Sequence, residues 1–218
     1  MSLVETRWLG LVVVLLSFAR PAAATPLDPF AGALPWEKLA AAHPGDWAEY
    51  AMRTGEGTTG PWLRFLVVGP AEDGSGTWLE VWISTRPGSA TQAWRLLLTG
   101  DPAAPGGAAR VVGRAFGGQS RELELPPPPP PSRAAAGSWT TGPEEPLQTN
   151  AGTIRARSAT LHQDGTWLAR SWISPAVPVF GLVRLELQGG GGIELHAFGR
   201  GGRNVVDLPT ASESRPGH

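Results

Sequence analysis

The chain has 218 residues, a net charge of −1, 41% apolar and 17% charged side chains. That balance suits one soluble domain with an appendage and excludes both a multidomain machine and wholesale disorder. Eighteen basic side chains against nineteen acidic, with no long run of either sign, leave no basic field to release counterions from a nucleic acid, so no nucleic-acid partner is expected. Cysteine is absent, which removes disulfides, thiolate catalysis, cysteine zinc sites and lipoprotein acylation.

Residues 1–24 carry the three parts of a secretory signal: a short start with Arg7, an apolar run from Trp8 to Phe18, and the small residues Ala22-Ala23-Ala24. The run is too short to cross a ~30 Å hydrocarbon core as a helix at ~1.5 Å per residue. Cleavage after Ala24 is therefore the expected processing. An uncleaved anchor is the alternative, because Glu5 offsets Arg7 and Arg20 lies close to the cut. No transmembrane segment is expected in the mature chain, which places it in the periplasm of a bacterium or outside the cell. It reads as a single β domain over 25–206, followed by a polar tail, 207–218, expected to be disordered.

Pro35 at a helix-start position, with Trp36-Glu37-Lys38-Leu39 and three alanines behind it, predicts one short helix that stops before His43-Pro44-Gly45. Beyond Gly45 the apolar residues alternate at period two between Gly, Pro and Asp-Gly punctuation. Strands are expected at 47–53, 62–68, 77–84, 93–99, 109–114, 121–125, 153–162, 167–174, 182–188 and 193–198. The turn at Gln163-Asp164-Gly165 suits a tight twisted hairpin, and Glu72-Asp73-Gly74 and the glycines 189–192 serve likewise. Links this short join antiparallel neighbours. The fold class is therefore mostly β: a curved antiparallel sheet, or unclosed barrel, of about ten strands with one short N-terminal helix. A proline-rich stretch, 126–150, opens with the prolines 126–131 and reads as a spacer; a rod of that kind spans on the order of 19 Å at ~3.1 Å per residue.

Several strands carry bulk on both faces. Leu79, Val81 and Ile83 oppose Trp78, Glu80 and Trp82; on 167–174, Leu168, Arg170 and Trp172 oppose Trp167, Ala169, Ser171 and Ile173. An antiparallel sheet with one wet face alternates more cleanly. Something is expected to cover the second face: the Trp36 helix, the proline rod, a partner or an apolar ligand. The tryptophans, ten against one tyrosine, either fill a barrel-like core and its rim or line a pocket. Arg155, Arg157, Arg170 and Arg184 read as a solvated face.

Little local chemistry is present. His43, His162, His196 and His218 form no ligand motif, so no metal site and no cofactor are expected, although His162 and His196 each end a strand and have the option of meeting across the sheet. No Gly-x-Ser-x-Gly elbow occurs. Glu122 and Glu124 share a strand face and read as an edge guarded against aggregation rather than as a carboxylate pair. No catalytic residue is assigned, and the protein is not expected to be an enzyme.

The segments Asn150–Ala156, Trp172-Ile173-Ser174, Val177–Val183 and Glu194–Gly199 resemble a pattern in uncharacterised bacterial exported β-proteins. They are also similar to families related in fold to the lipoprotein-localisation carriers LolA and LolB. That resemblance implies an unclosed β-barrel over an apolar cavity, with a helical lid in the carriers themselves, and it implies no catalytic residue. The expectation that follows is binding of a lipid, acyl chain or lipoprotein-like ligand, with Leu79, Val81, Ile83, Leu168 and Trp172 as lining. The alternative is an interaction module docking onto another envelope protein through its second apolar face.

Overall fold

The computed structural model describes residues 36–53, 59–99, 108–115, 120–123 and 138–206. The signal segment, the proline run and the polar tail lie outside the described residues. A 3-10 turn at Trp36–Ala41 leads into strands β1 (Trp47–Arg53), β2 (Thr59–Pro70), β3 (Thr77–Ser84), β4 (Gln92–Leu98), β5 (Ala108–Ala115), β6 (Arg121–Leu123), β7 (Ser138–Thr149), β8 (Gly152–Gln163), β9 (Thr166–Ile173), β10 (Leu182–Leu187) and β11 (Gly192–Gly199). All eleven strands form one sheet in the order β6-β5-β4-β3-β2-β1-β11-β10-β9-β8-β7, and every pairing is antiparallel. Two meanders thus meet where the first strand pairs with the last. Among the described residues, no helix is long and apolar enough to cross a membrane.

The sheet is curved and unclosed, and its connectivity shows why. Flat, eleven strands would hold their edges about 48 Å apart at ~4.8 Å per spacing. The edge strands β6 and β7 run in the same direction, so their connection must also return along a strand. Residues 124–137 reach only about 50 Å at full extension, which leaves a flat sheet almost no slack. At the other side the β7–β8 hairpin folds back over β10 and β11: Asn150 Nδ2 donates to His196 Nδ1 at 3.2 Å, and Arg184 donates to the Gln148 carbonyl at 3.4 Å.

Strand β7 lies inside the stretch read as a spacer. Its Pro143, Pro146 and adjacent glutamates erase any apolar alternation, but proline costs little on an edge, where one row of N–H groups has no strand to bond. The opposite edge, β6, carries Glu122 paired across from Val112. The Asp164-Gly165 turn has positive φ at both residues, 50° and 77°, the conformation that matches the twist of a two-residue hairpin.

Bending brings the inner faces of the two meanders together. Tyr50 and Met52 of β1, Leu63 and Phe65 of β2, and Leu79 and Val81 of β3 share one cluster with Ala169, Leu185, Ile193 and Leu195. The link from β9 to β10 is tucked into it: Val177, Val179 and Phe180 are buried, Phe180 at 0% exposure. Its ring packs edge-on to Phe65 with centroids 4.9 Å apart, and Phe65 meets Tyr50 at 6.0 Å. Val179 takes φ 69°, a left-handed conformation costing a β-branched residue roughly 1–2 kcal/mol, which burial of this link offsets. At Gly181, φ 69°, a Cβ would stand 3.0 Å from the Ser174 carbonyl oxygen. Among the described residues the Trp36–Ala41 turn contributes Leu39 to the core, and the inner face is filled by this link rather than by a helical lid.

Tyr50, the single tyrosine, is fully buried and donates its hydroxyl to the Leu182 carbonyl at 3.1 Å. Burial raises its pKa well above the ordinary value. A group raised on folding contributes stability below its unfolded pKa, near 10, and loses it as pH rises toward the folded value. The folded protein is expected to show no phenolate absorbance at pH 11, and this group alone removes about 1.4 kcal/mol of stability per pH unit above 10; a phenolate band appearing at pH 10 in the folded state would contradict it. Phe180→Ala is expected to cost about 3–5 kcal/mol in urea unfolding through the cavity it leaves.

Candidate functional site

The outer face of β1–β4 is unusual for a solvent-facing sheet. Its register sets Glu49 opposite Arg64 and Arg64 opposite Trp82, and Glu80 opposite Arg95. Strand alternation therefore lays an acid-base-acid-base row obliquely across four strands. Arg64 is sandwiched between aromatic faces, its guanidinium carbon 4.0 Å from the Trp47 ring centroid and 4.6 Å from that of Trp82. Desolvation there lowers the Arg64 pKa, opposed by the charges of Glu49 and Glu80. The β3–β4 loop leans over one end, where the Gly88 N–H donates to Glu49 at 2.9 Å.

Glu80 is the centre of this row and has 0% exposure. Its carboxylate accepts from Arg95 Nη2 at 3.3 Å and from the Trp82 indole N–H. Two further donors come from the end of the described chain: the Val205 N–H at 2.7 Å on one oxygen and the Val206 N–H at 3.1 Å on the other. Val206 is buried at 0% exposure against Leu66, Trp82 and Ala93, with Trp47, Ala90 and Val205 around them. The segment turns in through Gly201, φ 73°, and Gly202, whose N–H donates to the Gly45 carbonyl at 2.9 Å. A Cβ on Gly202 would fall 2.6 Å from Leu66 Cδ1.

A second covered area lies on the other meander, where the main core cluster reaches Trp172. Trp172 is buried there beneath the β7–β8 hairpin, its indole N–H donating to Glu145 at 2.6 Å. Arg170 and Arg184 stand 5.9 and 5.8 Å from its ring. Glu194 ties Arg184 at 3.0 Å and Arg53 at 3.3 Å. Arg155, by contrast, is exposed and paired with Glu144 at 2.6 Å, holding that carboxyl below its ordinary range.

The residues nominated as a lining divide between locations. Leu79, Val81 and Ile83 lie together on the inner face at 0, 5 and 9% exposure, packed among core side chains. Leu168 is half-buried at a bulge in the β8–β9 register, and Trp172, buried in the same core cluster as those three, lies beneath the β7–β8 hairpin. His162 and His196 do not meet: β9 and β10 separate their strands, and His196 packs on Trp62 with ring centroids 4.4 Å apart. Among the described residues no group of three His, Asp or Glu side chains could hold a metal.

Cover for the second face of β1–β4 comes from a piece of the chain that the sequence did not nominate, the 203–206 strap, while the β7–β8 hairpin covers Trp172 on the other meander. A signal for the first was present: Glu49, Arg64, Glu80 and Arg95 are isolated charges in otherwise apolar strands, and Val205-Val206 is an apolar pair next to a polar tail. Chemically the site offers a dry carboxylate that binds successive backbone amides beside an aliphatic pocket.

The fold and this site define an unclosed antiparallel β half-barrel with a strapped outer face. No protein-family model and no curated protein matches the chain. Among solved structures, a protein described as exported, with a YmcC-like fold, from Bacteroides fragilis matches with a TM-score of 0.35 at 11% identity, over 73% of this chain and 97% of its own. A protein described as a lipoprotein, from Parabacteroides distasonis, matches with a TM-score of 0.34 at 12% identity, over 72% of this chain and 96% of its own. Likenesses of this size carry no argument about function.

Removing the charge at Glu80 leaves Arg95 buried without its counter-ion. Glu80→Gln is expected to lower stability by about 3–5 kcal/mol in urea unfolding, and combining it with Arg95→Met to recover more than half of that loss. A single-variant loss under about 1 kcal/mol would show that the carboxylate is not held dry.

Proposed function

We propose that this protein is a non-catalytic component of the bacterial envelope that works as an interaction module, docking onto another envelope protein through the outer face of β1–β4. The envelope setting rests on the signal pattern of residues 1–24. The observation that carries the docking reading is the contrast between the two faces. The inner face is filled by the protein's own side chains, with Phe180, Tyr50 and Leu79 at 0% exposure, whereas the outer face holds a peptide segment through its backbone. The carrier reading, an acyl chain or lipoprotein lipid held inside as the resemblance to the lipoprotein-localisation proteins implies, requires the 174–181 link to leave the core. The burial of Val177, Val179 and Phe180 opposes its departure and outweighs the strain at Val179.

A photo-cross-linking residue placed at Arg86 or Arg203, both exposed beside the outer face, is expected to give one discrete protein adduct in cells. The same residue at Arg157, exposed on the hairpin, is expected to give none. Native mass spectrometry of the mature protein purified from membranes is expected to show the bare polypeptide mass. An acyl-lipid adduct in that spectrum, with no cross-link at Arg86 or Arg203, would reverse the choice in favour of the carrier.

A further inference from the structure

The outer face already holds a peptide segment, and the way it is held differs from the strand pairings of the sheet. Residues 201–206 join no ladder. They are held by two successive backbone N–H groups landing on the two oxygens of one carboxylate, by the Gly202 N–H on the Gly45 carbonyl, and by an aliphatic side chain, Val206, buried among Leu66, Trp82 and Ala93, among other contacts. A carboxylate withdrawn from water needs every donor it has, because an ion buried without partners costs several kcal/mol. With the strap lifted, Glu80 would keep Arg95 and the Trp82 indole but lose two amides, and Leu66 and Trp82 would face solvent. The groove therefore has a strong preference for being occupied, and a weak preference for whose backbone occupies it. Any peptide that can turn two successive N–H groups to one side can supply those donors, and the site then tests the side chain at the Val206 position and the absence of bulk at the Gly202 position.

We propose that this groove is a peptide-recognition site, closed in the free protein by the chain's own 203–206 strap and opened to a partner by exchange of one peptide segment for the other. The inference rests on the docking reading and names its partner's chemistry. That partner presents a segment able to turn two consecutive backbone amides toward one side, with no proline at either, a β-branched aliphatic residue at the second, and a small residue a few positions before, where Gly202 lies against Leu66 and Trp47. The strap is the template for this ligand and also its competitor. The turn through Gly201 and Gly202 gives it a short, well-defined joint about which to leave.

The test uses the full chain and a synthetic peptide covering residues 202–218. Because the protein has no cysteine, Val206→Cys introduces a single thiol at the bottom of the groove. Its alkylation is expected to be at least about tenfold slower in the folded protein than in urea, reflecting closure of the strap, and saturating peptide is expected to restore most of that rate. A peptide N-methylated at the positions of Val205 and Val206 lacks both donors to Glu80 and is expected to leave the rate unchanged. Hydrogen exchange on the natural chain gives a second reading that needs no substitution: the same peptide is expected to accelerate exchange of the Val205 and Val206 amides and of no strand amide. A natural-sequence peptide that changes neither the alkylation rate nor the exchange would overturn the proposal, as would an N-methylated peptide that works equally well. Failure to find a cross-linked partner in cells would count against the docking reading and leave this displacement, measured in vitro, standing or falling by itself.

Discussion

Strands β1–β4 are apolar on both faces, and a sheet of that kind has to be covered twice. The inner side is covered by bending: two meanders joined along β1 and β11 close on each other, and the 174–181 link supplies the side chains that fill the space between. The outer side is harder, because it also carries four charges. They are tolerated because they alternate in sign across the register, because two indoles enclose Arg64, and because Glu80 finds a donor at every turn, including two from a segment more than a hundred positions later in the chain. Ion pairs of this sort contribute little net stability compared with well-packed hydrocarbons, but they are unforgiving of a missing member. The strap is the member most distant in sequence.

Fold class was legible in the sequence because strand alternation and turn chemistry are local. The Asp164-Gly165 hairpin, the glycine turn before β11, and the placement of Leu79, Val81 and Ile83 on one face all follow from period-two patterning that no distant contact has to rescue. Strand β7 was illegible for an equally physical reason: an edge strand is relieved of half its bonding duties, so Pro143 and Pro146 survive there, and they are residues that in isolation argue against a strand. The short helix at Trp36 was legible as a helical start, and it is realised as a tighter 3-10 turn. The candidate site lay furthest from view. Whether Glu80 is solvated or buried depends on where Val205 goes, and no local pattern reports a contact across that separation. That a second cover was needed was readable; which part of the chain supplies it was not.

The two sheet edges bear on how this molecule meets others. β6 carries Glu122, while β7 carries two prolines with Glu144 and Glu145 between them, all features that discourage a neighbouring strand from adding to the ladder. With edges guarded and the inside filled, the outer face of β1–β4 is the surface whose composition exceeds what a lone soluble sheet requires. Its tryptophans and Arg64 are residue types enriched where proteins meet, which is the ground of the docking proposal, and it holds a peptide segment of its own chain.

The seam between β1 and β11 has a consequence for how the molecule is made. The first strand of the barrel waits for the last, so the half that is synthesised earliest keeps an open flank until nearly the whole polypeptide is available. Contacts this distant slow folding, which would be a liability for a chain maturing on the ribosome. For a chain exported unfolded, as the signal pattern of residues 1–24 leads one to expect, delay is an asset: the architecture postpones closure of the seam until β11 has followed β1 across the membrane.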